Sequence, residues 1–129
     1  VAVDSLITDG SVLAEGARVE RSVLSPGVYV GPNAVVRESV ILTDSYIEAR
    51  AVVERAIIDK KCVIGHNARI GKIVEDADDL GIVTIGKNTH LPNGFVLGRN
   101  SSIGSDLTVD DFDTLELPPN TVILSKQPD

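Results

Sequence analysis

The stretch Val40-Ile41-Leu42-Thr43-Asp44-Ser45-Tyr46-Ile47-Glu48-Ala49-Arg50-Ala51-Val52-Val53-Glu54-Arg55-Ala56-Ile57-Ile58 decides the fold. Its aliphatic residues Ile41, Ile47, Val53 and Ile58 are separated by six, six and five residues, and the pattern then begins again. Followed outward, the same steps run through Ile7, Leu13, Val19, Leu24, Val30 and Val36 on one side and Ile64 and Ile70 on the other. Three interleaved combs result, each with a period of 17: Leu13, Val30, Ile47, Ile64; Val19, Val36, Val53, Ile70; and Ile7, Leu24, Ile41, Ile58. A shared period in three phases is the mark of a coil with three faces, in which each turn stacks on the last. The expected fold is all-β, a three-sided parallel β-helix of hexapeptide repeats with 17–18 residues per coil.

Four positions after each of these aliphatics stand Ser11, Ala17, Val23, Val28, Ala34, Val40, Ser45, Ala51, Ile57, Cys62 and Ala68, none of them charged. Side chains an even number apart on a strand share a face, so these are expected as the second inward residue of each short face. The five-residue steps give adjacent apolar pairs at Leu6-Ile7, Val23-Leu24, Val40-Ile41 and Ile57-Ile58. Gly10, Gly16, Pro26-Gly27, Gly31-Pro32-Asn33, Asp44, Gly65 and Asn67 fall between the apolar positions, where corners need residues that accept positive φ or preset their own.

The phase breaks once. Residues 72–84 include Glu75-Asp76-Ala77-Asp78-Asp79, too acidic to line an apolar interior, and are expected as a loop extruded from one corner. The repeat resumes at Ile85, Leu91, Leu97 and Ile103 in even steps of six, a coil of 18, with Thr89, Phe95, Ser101 and Leu107 as second inward residues. Residues 110–129 are expected as a terminal partial coil and frayed tail. The whole of 1–129 is read as one domain.

Composition narrows the function. No Trp and only two Phe and two Tyr are present, so the interior is filled by aliphatics of similar size. A net charge of −7 argues against nucleic acid and anionic membrane as partners, and no apolar run is long enough to span a bilayer. The single cysteine, Cys62, permits no internal disulfide and no cysteine-based zinc site. No signal peptide is evident, so the expected location is cytoplasmic. The absence of Met at position 1, with the repeat already running at Ala2, suggests a piece excised from a longer chain whose preceding domain covers the open end of the prism.

Three strings carry a resemblance. Arg21-Ser22-Val23-Leu24-Ser25-Pro26-Gly27-Val28 and Arg55-Ala56-Ile57-Ile58-Asp59-Lys60, the latter followed by Ile64-Gly65, resemble the C-terminal domain of glucose-1-phosphate adenylyltransferase (ADP-glucose pyrophosphorylase). Gly81-Ile82-Val83-Thr84-Ile85-Gly86-Lys87, with Leu91-Pro92 and Gly94, is similar to a stretch near the C-terminus of the plant and cyanobacterial enzymes. The resemblance runs over roughly residues 5 to 98. It implies a left-handed winding, which general chain rules would not have chosen. It also implies that an N-terminal nucleotidyltransferase domain makes ADP-glucose and pyrophosphate from ATP, carried with Mg, and glucose 1-phosphate for glycogen or starch synthesis.

On that reading this chain carries no cofactor, metal or catalytic residue. It would pack against its own catalytic domain, help build an oligomer (a tetramer in the family), and contribute to a site for phosphorylated effectors. The resemblance places Lys87 on a lysine that binds activator phosphate, with Arg69 and Lys72 near a second. Two or more converging cations are what a phosphate ester requires; as corner residues, the same side chains could simply be solvated. The extruded loop is short and acidic compared with the plant pattern, which leaves the effector open.

The rival reading is a hexapeptide acyltransferase using acyl-CoA and a His general base. His66 and His90 are the candidates, both expected at exposed, corner-facing positions. A γ-type carbonic anhydrase would need three distinct zinc-binding histidines, and the chain has two. A parent using another nucleotide and sugar, or a non-catalytic regulatory subunit, remains open within the nucleotidyltransferase reading.

Overall fold

A computed structural model describes residues 1–72 and 81–125. In chain order the strands are β1 (Ala2–Val3), β2 (Leu6–Ile7), β3 (Val12–Leu13), β4 (Arg18–Glu20), β5 (Val23–Leu24), β6 (Tyr29–Val30), β7 (Val35–Arg37), β8 (Val40–Ile41), β9 (Tyr46–Ile47) and β10 (Val52–Glu54). They continue as β11 (Ala56–Ile58), β12 (Val63–Ile64), β13 (Arg69–Lys72), β14 (Val83–Ile85), β15 (His90–Leu91), β16 (Val96–Gly98), β17 (Ser102–Ile103), β18 (Glu116–Leu117) and β19 (Val122–Ile123). As far as β17 every third strand stacks on the last, and after sheet C stops every second one does, giving three parallel sheets. Sheet A runs β1-β4-β7-β10-β13-β16-β18, sheet B runs β2-β5-β8-β11-β14-β17-β19, and sheet C runs β3-β6-β9-β12-β15. The registers Val19↔Val36, Leu24↔Ile41 and Val30↔Ile47 are the combs of 17. The expected β-helix is the fold.

The interior is the expected one, and every comb aliphatic from Val19 to Ile103 is buried. Ile7 and Leu13, in the first coil, are partly buried against the same core. The second inward residue differs from expectation at one corner. Ala17, Val28, Ala34, Ser45, Ala51, Cys62 and Ala68 point in, but Val23 and Ile57 are exposed, Val40 is half-exposed, and Ser22, Ser39 and Ala56 take the inward place. The inward partner lies two residues before each comb aliphatic, at or just before the start of its strand. Counting four residues forward gives the same answer over a six-residue step, but over a five-residue step it lands on the neighbour of the aliphatic, which faces out.

The serines at this corner are hydrogen-bonded rung by rung. Ser22 Oγ donates to Glu20 O and accepts from Ser39 N; Ser39 Oγ donates to Arg37 O and accepts from Ala56 N at 3.1 Å. A small hydroxyl thus satisfies the backbone groups of a tight corner that would otherwise be buried without partners. The corner residues themselves, Arg21, Glu38 and Arg55, adopt φ of 46–49°. In the later coils this A-to-B corner gains one residue and places Asn100 at φ 58°, which is how 17 becomes 18.

The break in phase occurs at the same corner. Gly71 (φ 83°) forms a bulge between Ile70 and Lys72, and a Cβ there would collide with Glu54 O. β14 re-enters sheet B beside β11 with Ile58↔Ile85, so ordered strand already begins at Val83, inside the span expected as loop. The acidic run Glu75 to Asp79 lies outside the described residues. Sheet C stops at β15 for a chemical reason. His90 N donates to Leu107 O at 2.9 Å, but the next donor in the ladder would be Pro92, which has no N–H. The chain then makes a single 3-10 turn at Val109–Asp111, and Phe112 packs edge-on to Phe95 at 5.0 Å. Among the described residues no helix is long and apolar enough to cross a membrane.

Adjacent residues test the register. Ile58 is fully buried and Ile57 is 40% exposed, so Ile58→Ala should cost about 2–5 kcal/mol in urea unfolding and Ile57→Ala less than about 1 kcal/mol. Ala51→Asp, which would put an unpaired carboxylate in the dry interior, should abolish the cooperative transition or lower its midpoint sharply.

Candidate functional site

Stacking at the corner between sheets B and C brings three cations together. Lys60 and Lys61 follow β11, and Lys87 and Asn88 follow β14 one coil later. Asn88 N donates to Lys60 O at 2.9 Å and Asp106 N to Lys87 O at 3.0 Å, so Lys60 and Lys87 occupy the same corner place on consecutive rungs, a spacing of about 4.8 Å. Lys61 and Asn88 take the left-handed backbone (φ 57° and 56°) that turns each corner. The three lysines, Asn88 and Asp106 line an open groove of about 440 Å³. Asn88 Nδ2 donates to Asp106 Oδ1 at 3.1 Å, while none of the three lysines has an ion-pair partner among the described residues. Three unpaired ammonium groups around one groove suit a multiply charged oxyanion such as a phosphate ester.

Of the residues singled out from the sequence, Lys87 lies in this groove. Arg69 does not: it is exposed on β13 in sheet A, between Val52 and Val96, on another face of the prism. Lys72 ends β13, paired with Gly98. Lys60 and Lys61 were missed as site residues. The ladder phase could have found them, because Ile58 and Ile85 are stacked and Lys60 and Lys87 each follow by two.

The two histidines share a second groove, of about 470 Å³, with Glu48, Val63, Asn93 and Val109. His66 stands at a corner as expected, its Nε2 3.9 Å from Glu48 Oε2. His90 does not: it is on strand β15, paired with Val63 and facing outward. Among the described residues no group of three or more His, Cys, Asp or Glu side chains could hold a metal ion.

The model of the GlmU-like, C-terminal hexapeptide family matches residues 1–84. The chain belongs to that family. The left-handed β-helix expected from the resemblance is the family's fold. Within the curated proteins, this hexapeptide chain is 44% identical over 128 residues to a glucose-1-phosphate adenylyltransferase of Pseudothermotoga lettingae, covering 91% of this chain. It is 30% identical over 118 residues to one from Acetivibrio thermocellus, covering 83%. It spans only 30% and 28% of those relatives' lengths. Among solved structures, the acetyltransferase domain of PglB from Neisseria gonorrhoeae superposes with a TM-score of 0.72 at 17% identity, over 89% of this chain and 51% of that one. GDP-perosamine N-acetyl transferase from Caulobacter crescentus gives 0.62 at 11% identity, over 94% and 50%. At such identities the likeness is one of fold alone.

Beneath the basic corner, Cys62 is buried and its Sγ lies 3.1 Å from Gly86 O. Burial pushes its thiol up to about 11 from an ordinary 9.0. Between those two values the native hexapeptide core keeps a proton that the unfolded chain has released, so stability must fall as pH rises. Urea melts should show a loss of about 1 kcal/mol between pH 8 and pH 10 that is absent from a Cys62→Ala variant.

Proposed function

We propose that this chain is the assembly and regulatory domain of a glucose-1-phosphate adenylyltransferase, with the corner of Lys60, Lys61 and Lys87 holding the phosphate of a small phosphorylated effector. The observation that carries the reading is the 44% identity to such an enzyme along 91% of this chain, which accounts for only 30% of the enzyme's length. The nucleotidyl transfer, in which glucose 1-phosphate attacks ATP and pyrophosphate leaves, then belongs to the remainder of the protein, as does the Mg that accompanies ATP. The parent would be a homo-oligomer, a tetramer as in the family, working in glycogen or starch synthesis. The β-helix contributes rigidity. Its corners cannot shift without breaking the hydrogen bonds that join coil to coil, so the backbone positions from which Lys60, Lys61 and Lys87 project are held at fixed spacing.

Effector binding would alter turnover only if it favours one arrangement of the catalytic domain over another. At the lysine corner an anion would neutralise positive charge carried on two successive rungs, and an arrangement that brings the catalytic domain against that corner would feel the change. The acyltransferase reading has no comparable support, because the acetyltransferase structures share fold and not sequence.

The test is sugar-nucleotide formation by the full-length parent from glucose 1-phosphate with ATP, GTP, UTP and CTP in parallel. Fructose 1,6-bisphosphate or 3-phosphoglycerate serves as the effector probe. ATP-selective turnover is expected. The double variant Lys60→Ala/Lys87→Ala should raise the activator concentration for half-effect by about tenfold or more, the loss of one or two charge-assisted hydrogen bonds. Turnover with another nucleotide would reassign the enzyme, and activation indifferent to the substitutions would remove the corner as the effector site.

A further inference from the structure

The outward column of sheet B is apolar over its first four rungs: Leu6 (61% exposed), Val23, Val40 and Ile57 (40% exposed) stack in register. The next two rungs are the polar Thr84 and Ser102. Beside this column, the A-to-B corner carries Asp4, Arg21, Glu38 and Arg55 on the same four rungs, alternating in sign. Glu38 bridges Arg21 at 3.2 Å and Arg55 at 2.8 Å. The apolar column therefore ends at Ile57, and over these four rungs both columns share a midpoint between the second and third.

We infer that this face of sheet B is a self-association surface on which a second copy docks antiparallel. The argument is one of symmetry. Two prisms laid face to face about a two-fold axis perpendicular to their length meet with each column against itself, reversed. Reversal sets Leu6 against Ile57 of the second copy and Val23 against Val40, so the apolar column closes on itself. It also sets Asp4 against Arg55 and Arg21 against Glu38, so every charged rung meets its opposite. On the far rim, the B-to-C corner, Asp9 meets Lys60 in the same way. A series of four alternating charges is complementary to its own reversal, and an odd number would not be.

The parallel arrangement is disfavoured by the same residues. With the two-fold along the prism axis, rungs of equal height meet but the two rims exchange sides. Asp4 then faces Asp9 of the second copy, and Arg55 faces Lys60, which places like charges together at both ends. The chain thus selects one orientation through charge while the apolar column supplies the attraction. This inference does not rest on the enzymatic reading and would survive its failure.

Cysteine pairing distinguishes the arrangements. Leu6→Cys and Ile57→Cys variants place thiols on outward positions, while native Cys62 is buried. Mixed under mild oxidation, the two singly substituted chains should yield the 6–57 cross-linked heterodimer. Leu6→Cys alone should give no disulfide dimer, because its two copies lie three rungs, about 14 Å, apart. Sedimentation equilibrium of the unsubstituted chain should show a dimer, and Val40→Lys should weaken it tenfold or more with its melting temperature retained. A chain that stays monomeric at high micromolar concentration, or efficient homodimer formation by Leu6→Cys, overturns the inference.

Discussion

Everything in this molecule depends on backbone hydrogen bonds that run along the prism axis, from each coil to the next. Each coil offers N–H and C=O groups only to its neighbours above and below, so strand residues must stack in register over five to seven rungs. That condition turns a list of residues into columns. The aliphatic columns form the core, the hydroxyl column at the A-to-B corner satisfies the tight turn, and the charged column outside it alternates Arg and Glu. No column is independent of the others. A slip of one residue would expose Leu24 and Ile41 and at once bury Val23 and Val40 with the charged corner behind them.

The columns explain what could be read from sequence and what could not. The period is visible because Ile41, Ile47, Val53 and Ile58 have no alternative inward partner, and the same phase identifies the core residue by residue. The second inward position is legible over six-residue steps and misread over five-residue ones. There, the choice between Ser39 and Val40 rests on which side of the corner loses a residue. Hydrophobicity favours Val40; geometry and the backbone donors at the corner require Ser39. His90 shows the same limit. Its place on strand β15 follows from stacking on Val63 across an insertion, which simple counting from the previous aliphatic does not capture. The basic corner was half legible: Lys87 came from a resemblance, while Lys60 and Lys61 become its neighbours only when rungs 27 residues apart in sequence are stacked.

Function in such a solenoid is divided between faces and corners. Faces are flat, regular and hydrogen-bonded internally, which suits them to contact with another flat surface. Corners are where side chains diverge from the backbone with space between them, which suits small charged ligands. The lysine groove and the histidine groove both lie at or beside corners of sheet C, and the aliphatic strip lies on the face of sheet B. Neither use would draw on the interior, where no buried side-chain polar atom among the described residues lacks a hydrogen-bond partner.

The bulge at Gly71 has a further meaning in terms of chain closure. Most coils close a loop of 17 residues between stacked positions, whereas Ile58 and Ile85 close one of 27. Because the entropy of closure grows only with the logarithm of length, those ten additional residues cost about 0.4 kcal/mol. A single glycine, whose missing Cβ lets the bulged backbone lie close against Glu54 O, is therefore enough to make this corner a port where sequence can be added while the coils on either side keep their phase.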